Sequence, residues 1–137
     1  MKFFFDNNLS PHIADAIREL SKVEGDVEEV IHLRQRFEPS AQDVEWIGGL
    51  THDGPWNILS ADRFKKNRDA ERETIRRAGH SVFVLDPQWL AHAYWLQAER
   101  LVRWWPLILS QARLASRGAF RVPWRHTSQA KFEAIKL

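Results

Sequence analysis

The chain has 137 residues, 44% of them hydrophobic and 28% charged, with a formal net charge of +2 and no cysteine. That length suits one compact domain with a real core, and that balance excludes a disordered chain. The missing cysteine excludes disulfides, thiolate metal sites and thiol nucleophiles together, and makes a reducing cytoplasm the expected compartment.

"MKFFFDNNL" opens the chain. Phe3, Phe4 and Phe5 in succession suit a short strand buried on both faces, and the run is too short for the apolar region of a secretory leader. Ser10-Pro11 gives an N-cap with proline at the first helical position. Ile13, Ala16, Ile17 and Leu20 then recur at helical spacing. Val27, Val30, Ile31 and Leu33 mark a second strand in "DVEEVIHL". "SAQDVEWIGGL" predicts a short helix capped by Ser40, with Asp43 as the acid of a Ser-x-x-Asp box and Gly48-Gly49 as its end. "WNILSA" is the third strand and "SVFVLD" the fourth. Between them, "NRDAERETIRRAGH" is a charged helix closed by Gly79. Its Glu73–Arg77 spacing suits a solvated face laced with i,i+4 pairs.

From Pro87 the pattern changes. "QWLAHAYWLQAERLVRWWPLILSQARLASRG" predicts one long helix, or two broken at Pro106. Trp89, Tyr94, Leu101, Trp105 and Ile108 form its core stripe, and the tail is expected to add an edge strand and a last turn of helix. The stretch "LVRWWPLIL" contains Arg103 and Pro106 and falls short of the ~20 residues of a membrane span. Residues 1–86 carry 12 Lys and Arg against 16 Asp and Glu, a balance of −4, whereas residues 87–137 carry 8 against 2, a balance of +6. Either the two regions pair with each other, or an acidic centre stands beside a basic surface. On the second reading the interleaved Trp and Arg residues form an RNA groove or a partner interface. The six histidines show no metal-ligand spacing, and surface or capping roles are expected for them. No glycine run has the order of a phosphate loop.

The order βαβαβαβ argues for a parallel sheet covered by helices on both faces, within one domain spanning residues 1–137. In such sheets ligands sit outside the carboxyl ends of the strands. Asp6 follows the first strand, Asp62 follows the third, and Asp43 lies just inside the helix after the second. Taken singly, each has a plainer role: a turn former, a partner for Arg63 or Lys65, a helix-capping acid. Taken together, three carboxylates repel unless they share a proton or bind a cation. Hard ions such as Mg²⁺ take one or two carboxylates and leave room for substrate phosphates, which suits metal-assisted phosphodiester hydrolysis. Asn8 fits there as an uncharged orienting group. Arg63, Lys65 and Lys66 would hold substrate phosphate.

These residues resemble a known family. "FFFDNNLSPHIADAIREL" is similar to the opening of PIN-like domains, a hydrophobic strand, an Asp, and an Asn two places later. "ILSADRF" resembles the later segment in which an apolar strand ends in Ser/Thr-x-Asp. "AQDVEWIGGL" stands where such proteins carry their middle acid, and there the compact toxin-like subgroup is closest. The resemblance covers residues 1–86 and leaves the basic, Trp-rich extension 87–137 unassigned. It implies a three-layer α/β/α sandwich with a mostly parallel sheet of four to five strands. It also implies a Mg²⁺- or Mn²⁺-dependent endoribonuclease, the toxin of a type II toxin–antitoxin pair. Carried over, Asp6, Asp43 and Asp62 become the catalytic, metal-binding acids and Asn8 the motif's asparagine. RNA is then the substrate, with an antitoxin protein or a second copy of the chain as partner. The pattern departs at Phe64, where many members have a fourth acid; Asp69, Glu71 and Glu73 are candidates to replace it. That departure leaves open a catalytically weak PIN-like module that binds RNA or a protein. A receiver-like signalling domain fits less well, because amides follow Asp6 and no lysine ends the fourth strand.

Overall fold

Phe3, Phe4 and Phe5 are all wholly buried, because the strand they form, β1 (Lys2–Phe5), lies inside a six-stranded sheet. The computed structural model describes residues 1–61, 68–114 and 117–135, and only the backbone of residues 68 and 69. After β1 come α1 (Pro11–Ser21), β2 (Glu29–His32), α2 (Asp43–Leu50) and β3 (Asn57–Ser60). They are followed by α3 (Arg68–Ala78), β4 (Ser81–Leu85), α4 (Tyr94–Leu114), β5 (Gly118–Val122) and β6 (Glu133–Ile135). The sheet order is β2-β1-β3-β4-β5-β6. All neighbours are parallel except β5 and β6, which are antiparallel. This is the α/β sandwich expected, with six strands rather than four to five because the tail contributes two.

Successive side chains of a strand face opposite ways, so β1 feeds two cores. Phe3 and Phe5 pack with Ile13 and Ile17 of α1 and Trp105 and Ile108 of α4, while Phe4 packs with Trp46, Ile47 and Leu50 of α2 and Ile75 of α3. Phe4 stacks on Trp46 at 4.9 Å between centroids, and Phe3 meets Trp105 at 4.8 Å. Burying each phenylalanine is worth about 1.5–3 kcal/mol. Three in a row therefore fix β1 as the spine between the layers. The chain leaves β1 toward β2, then crosses back to β3 on the other side. That reversal lies between β1 and β3, the place where open parallel sheets form their ligand crevice.

Several local expectations hold and several do not. Ser10 Oγ accepts the N–H groups of His12 at 3.1 Å and Ile13 at 3.4 Å, capping α1. Gly79, at φ 74°, closes α3. Ser40, however, does not cap α2: Gln42 precedes its first residue, Asp43, and Glu45 accepts the Gln42 N–H at 3.3 Å. Nor do Gly48 and Gly49 end that helix. It continues to Leu50 because Trp46, Ile47 and Leu50 bury its inner face, and the Phe37 ring lies 2.8 Å from where a Cβ at position 49 would stand. Pro106 does not break α4 either; it and Val102, whose carbonyl loses its donor, are exposed, so water can take the missing bond. Tyr94 is 42% exposed rather than core, and residues 133–135 form a strand rather than a turn of helix. Among the described residues no helix is long and apolar enough to cross a membrane.

Candidate functional site

The carboxyl ends of the parallel strands share one edge, and the reversal between β1 and β3 puts the ends of those two strands side by side. The Asp6 N–H bonds the Leu59 carbonyl at 2.9 Å, extending the ladder one residue past β1. Phe4 and Asp6 therefore face the same way, toward α2 and α3, as do Ile58 and Ser60 of β3. Asp6 is 5% exposed. Its Oδ1 accepts the Asn7 N–H at 2.6 Å and its Oδ2 accepts the Ser60 hydroxyl at 2.7 Å. The Asp6 carbonyl accepts the Leu9 N–H at 3.0 Å, so Asp6–Leu9 is also a turn. Turn former and oriented carboxylate are here one residue. Asn8 Oδ1 accepts the Ala61 N–H at 3.2 Å, tying the loop after β1 to the chain leaving β3.

A second strap comes from β2. His32 is wholly buried at its end. Its Nδ1 accepts the Arg34 N–H at 3.1 Å, so the proton sits on Nε2, which donates to the Leu9 carbonyl at 2.7 Å. Burial holds this imidazole below its ordinary pKa, with the Leu9 carbonyl opposing. His80 is likewise wholly buried, and its Nδ1 accepts the Trp56 N–H at 2.9 Å. These two histidines are thus core groups bonded to backbone; only His32, at the start of a one-turn 3-10 segment (Leu33–Gln35), combines this with the expected capping role. Arg34 is exposed, and its Nε donates to Asn7 Oδ1 at 2.9 Å, while Asn7 Nδ2 donates to the Pro39 carbonyl at 3.2 Å. The Arg34 guanidinium is therefore held beside the Asp6 turn by a neutral amide rather than by a carboxylate.

Asp43 opens α2, which follows β2 on the same edge, and its Oδ1 accepts Trp46 Nε1–H at 3.0 Å. Of the substitutes for an acid at Phe64, Glu73 is tied to Arg76 at 2.5 Å and Arg77 at 2.8 Å on the solvent side of α3. Glu71 is 3% exposed and lies one turn before the core residue Ile75, so it faces the sheet. The side chain of Asp69 lies outside the described residues, as do Asp62, Arg63, Lys65 and Lys66. Among the described residues no three His, Asp or Glu groups are close enough together to hold a metal ion. The donors at this edge are carboxylates, a hydroxyl and an amide oxygen, hard oxygens of the kind Mg²⁺ and Mn²⁺ take.

Asp6 and Asn8 were legible as a local motif, and Ser60 stood in the quoted Ser-x-Asp. His32 and Arg34 were missed. Their partners, Leu9 and Asn7, lie more than twenty residues away, and only the β1–β2 register, Phe5 opposite His32, brings them together. A family model described as a PIN like domain matches residues 1–87. No curated protein and no solved structure gives a significant match.

Proposed function

The chain belongs to the PIN-like domain family, whose fold is of nuclease type, and on that premise we propose that it is a Mg²⁺- or Mn²⁺-dependent endoribonuclease. The observation that carries this reading is Asp6: a carboxylate buried at the end of the central strand and oriented by the Asn7 N–H and the Ser60 hydroxyl at the sheet's switch point. Asp6, Asp43 and Asp62 are the residues that would hold the ion, with Glu71 the candidate for the fourth acid. When bound there, the ion supplies Lewis acidity for attack of water on a phosphodiester. The chain's own groups do the positioning. Ser60 and the Asn7 N–H fix the Asp6 carboxylate, and Asn8 keeps the β1 and β3 ends in register. Arg34 offers its remaining N–H groups to a phosphate oxygen, and Arg63, Lys65 and Lys66 are assigned the same task.

The resemblance of residues 1–86 to the toxin-like subgroup supports a toxin role in the cytoplasm, with an antitoxin protein as partner. Growth arrest on expression, relieved by a small neighbouring gene, tests that role separately.

The deciding experiment is cleavage of end-labelled RNA by purified protein in Mg²⁺ or Mn²⁺ against EDTA, beside Asp6→Asn and Asp62→Asn variants. Metal-dependent cleavage that both variants lose is the expected result. An inert wild type that still binds RNA would favour the binding module that Phe64 suggests. Activity retained by the variants would put the site elsewhere.

A further inference from the structure

Trp46 is wholly buried, and a buried indole N–H needs an acceptor. That acceptor is Asp43 Oδ1, 3.0 Å away and three residues earlier in α2. The ring itself is fixed from below: Trp46 stacks on Phe4 of β1, with centroids 4.9 Å apart and 20° between planes. Phe4 lies two residues before Asp6 and faces the same way. Helix α2 leaves the carboxyl end of β2 and leads back to the start of β3, so it runs opposite to the strands. Stepping back from Trp46 to Asp43 therefore rises about 4.5 Å toward the carboxyl edge. Stepping on from Phe4 to Asp6 rises about 6.6 Å in the same direction. The two acids thus stand above one aromatic stack, Asp43 on the helix layer and Asp6 on the sheet. Trp56 offers a contrast in the same core. It too is buried and meets Phe4 edge-on at 6.3 Å, but its Nε1 has no hydrogen-bond partner among the described residues. Of the two indoles, it is Trp46 that holds an acid.

We propose that Trp46 is a positioning residue for metal binding, holding the Asp43 carboxylate at the level of Asp6 through its N–H and its stack on Phe4. The proposal rests on the metal-dependent reading of this site and adds to it a residue that never touches the ion. A carboxylate at a helix start turns about its side-chain bonds, and it must give up that freedom to ligate. A bond to one of its oxygens, from a ring that packing keeps in place, removes that freedom before the ion arrives. Removing a donor of this kind, one that touches a ligand rather than the metal, typically costs about 10–100-fold in metal affinity. The plainer alternative is that Asp43 serves only to satisfy the Trp46 N–H. That role predicts a change in stability and none in metal affinity.

The test is calorimetric titration of Mn²⁺ into the full chain without RNA, for wild type, Trp46→Phe, Asp43→Asn and the double variant. Phenylalanine keeps a ring against Phe4 and removes the N–H. Trp46→Phe is expected to raise the Mn²⁺ Kd at least about tenfold. Asp43→Asn is expected to raise it further, and the double variant to bind no more weakly than Asp43→Asn alone, because Trp46 acts through Asp43. Trp56→Phe is the same change in the same core and serves as the control, with a Kd expected within about twofold of wild type. Urea midpoints of all variants separate loss of fold from loss of metal. Should Trp46→Phe not fold, the indole N–H resonances of wild type decide instead. That of Trp46 is expected to shift as Mg²⁺ is added while that of Trp56 stays, and a Trp46 signal that ignores the ion would overturn the proposal. A Trp46→Phe no weaker than Trp56→Phe, effects that add in the double variant, or a wild type that takes up no Mn²⁺ at millimolar concentration would also overturn it. A protein that binds Mn²⁺ as described yet cuts no RNA would refute the nuclease reading alone. One that cuts with metal while Trp46→Phe keeps the wild-type Kd would refute the positioning role alone.

Discussion

A buried carboxylate is stable only if donors replace the water it has lost. The donors to Asp6 include one built into the turn, the Asn7 N–H, and one side chain, Ser60. Hydrogen bonds to charged groups are worth about 1.5–3 kcal/mol, so Ser60→Ala is expected to lower unfolding free energy by about that amount near neutral pH, measured by urea denaturation. Ser60→Thr keeps a hydroxyl and is expected to recover part of it. A neutral Ser60→Ala would mean that the Asp6 carboxyl is held without Ser60. Arg34 tests the same site from outside. It is exposed and carries no part of the core, so Arg34→Ala is expected to leave stability within about 0.5 kcal/mol of wild type. Cleavage, measured as kcat/KM, should fall by about tenfold or more, with Arg34→Lys in between because a lysine cannot reproduce the oriented fork. Asp6 and Asn8 could be nominated from sequence because two residues of a local motif carry the signal. Arg34 could not, since its role depends on Asn7 being opposite it across two strands.

Elements were legible where their signals are local and unopposed. Ser10-Pro11 starts α1 by side-chain geometry alone, and a run of three phenylalanines needs a two-faced layer. The reading failed where packing overrides propensity. Gly48-Gly49 ought to end a helix, yet α2 runs through both because its inner face is wholly buried. The two glycines are not equivalent. A Cβ at Gly48 meets nothing within 4 Å, whereas one at Gly49 would stand 2.8 Å from the Phe37 ring. Helical glycine costs about 0.5–1 kcal/mol against alanine. Gly48→Ala is therefore expected to stabilise by about that amount, seen as a higher urea midpoint at unchanged m. Gly49→Ala is expected to lose that gain in displacing Phe37. Equal gains at both positions would mean that Phe37 is free to move away, and that α2 is held by Trp46, Ile47 and Leu50 without it.

At the scale of the molecule, the charge split between residues 1–86 and 87–137 admitted either mutual pairing or a separate basic surface. Mutual pairing is found at both edges of the sheet. Arg113 of α4 binds Asp26 at 2.7 Å and Glu24 at 3.1 Å, and Arg121 of β5 lies 3.6 Å from Asp86, just past β4. Composition cannot say which cations find such partners; for Arg121 the parallel pairing of β5 with β4 decides it. Whole-molecule stability depends on pH through the buried histidines. Burial lowers the pKa of His32 and His80 in the native state, while in the unfolded chain both titrate near 6.5. Above about pH 6.5 both states are neutral, and their contribution is complete. As pH falls below that, the unfolded chain takes up protons that the native state refuses, and stability drops. The urea midpoint is thus expected to hold near pH 7.5 and to decline toward pH 5.5, a window that lies above the ordinary carboxylate range. His80→Gln, which can still offer an acceptor to the Trp56 N–H, is expected to flatten that decline even if it lowers the plateau. A midpoint that rises as pH falls would require charged imidazoles in the native state. His32 would then lose its acceptor at Nδ1, the Arg34 N–H would lose its partner, and the strap between β2 and the Asp6 turn would have to be rebuilt.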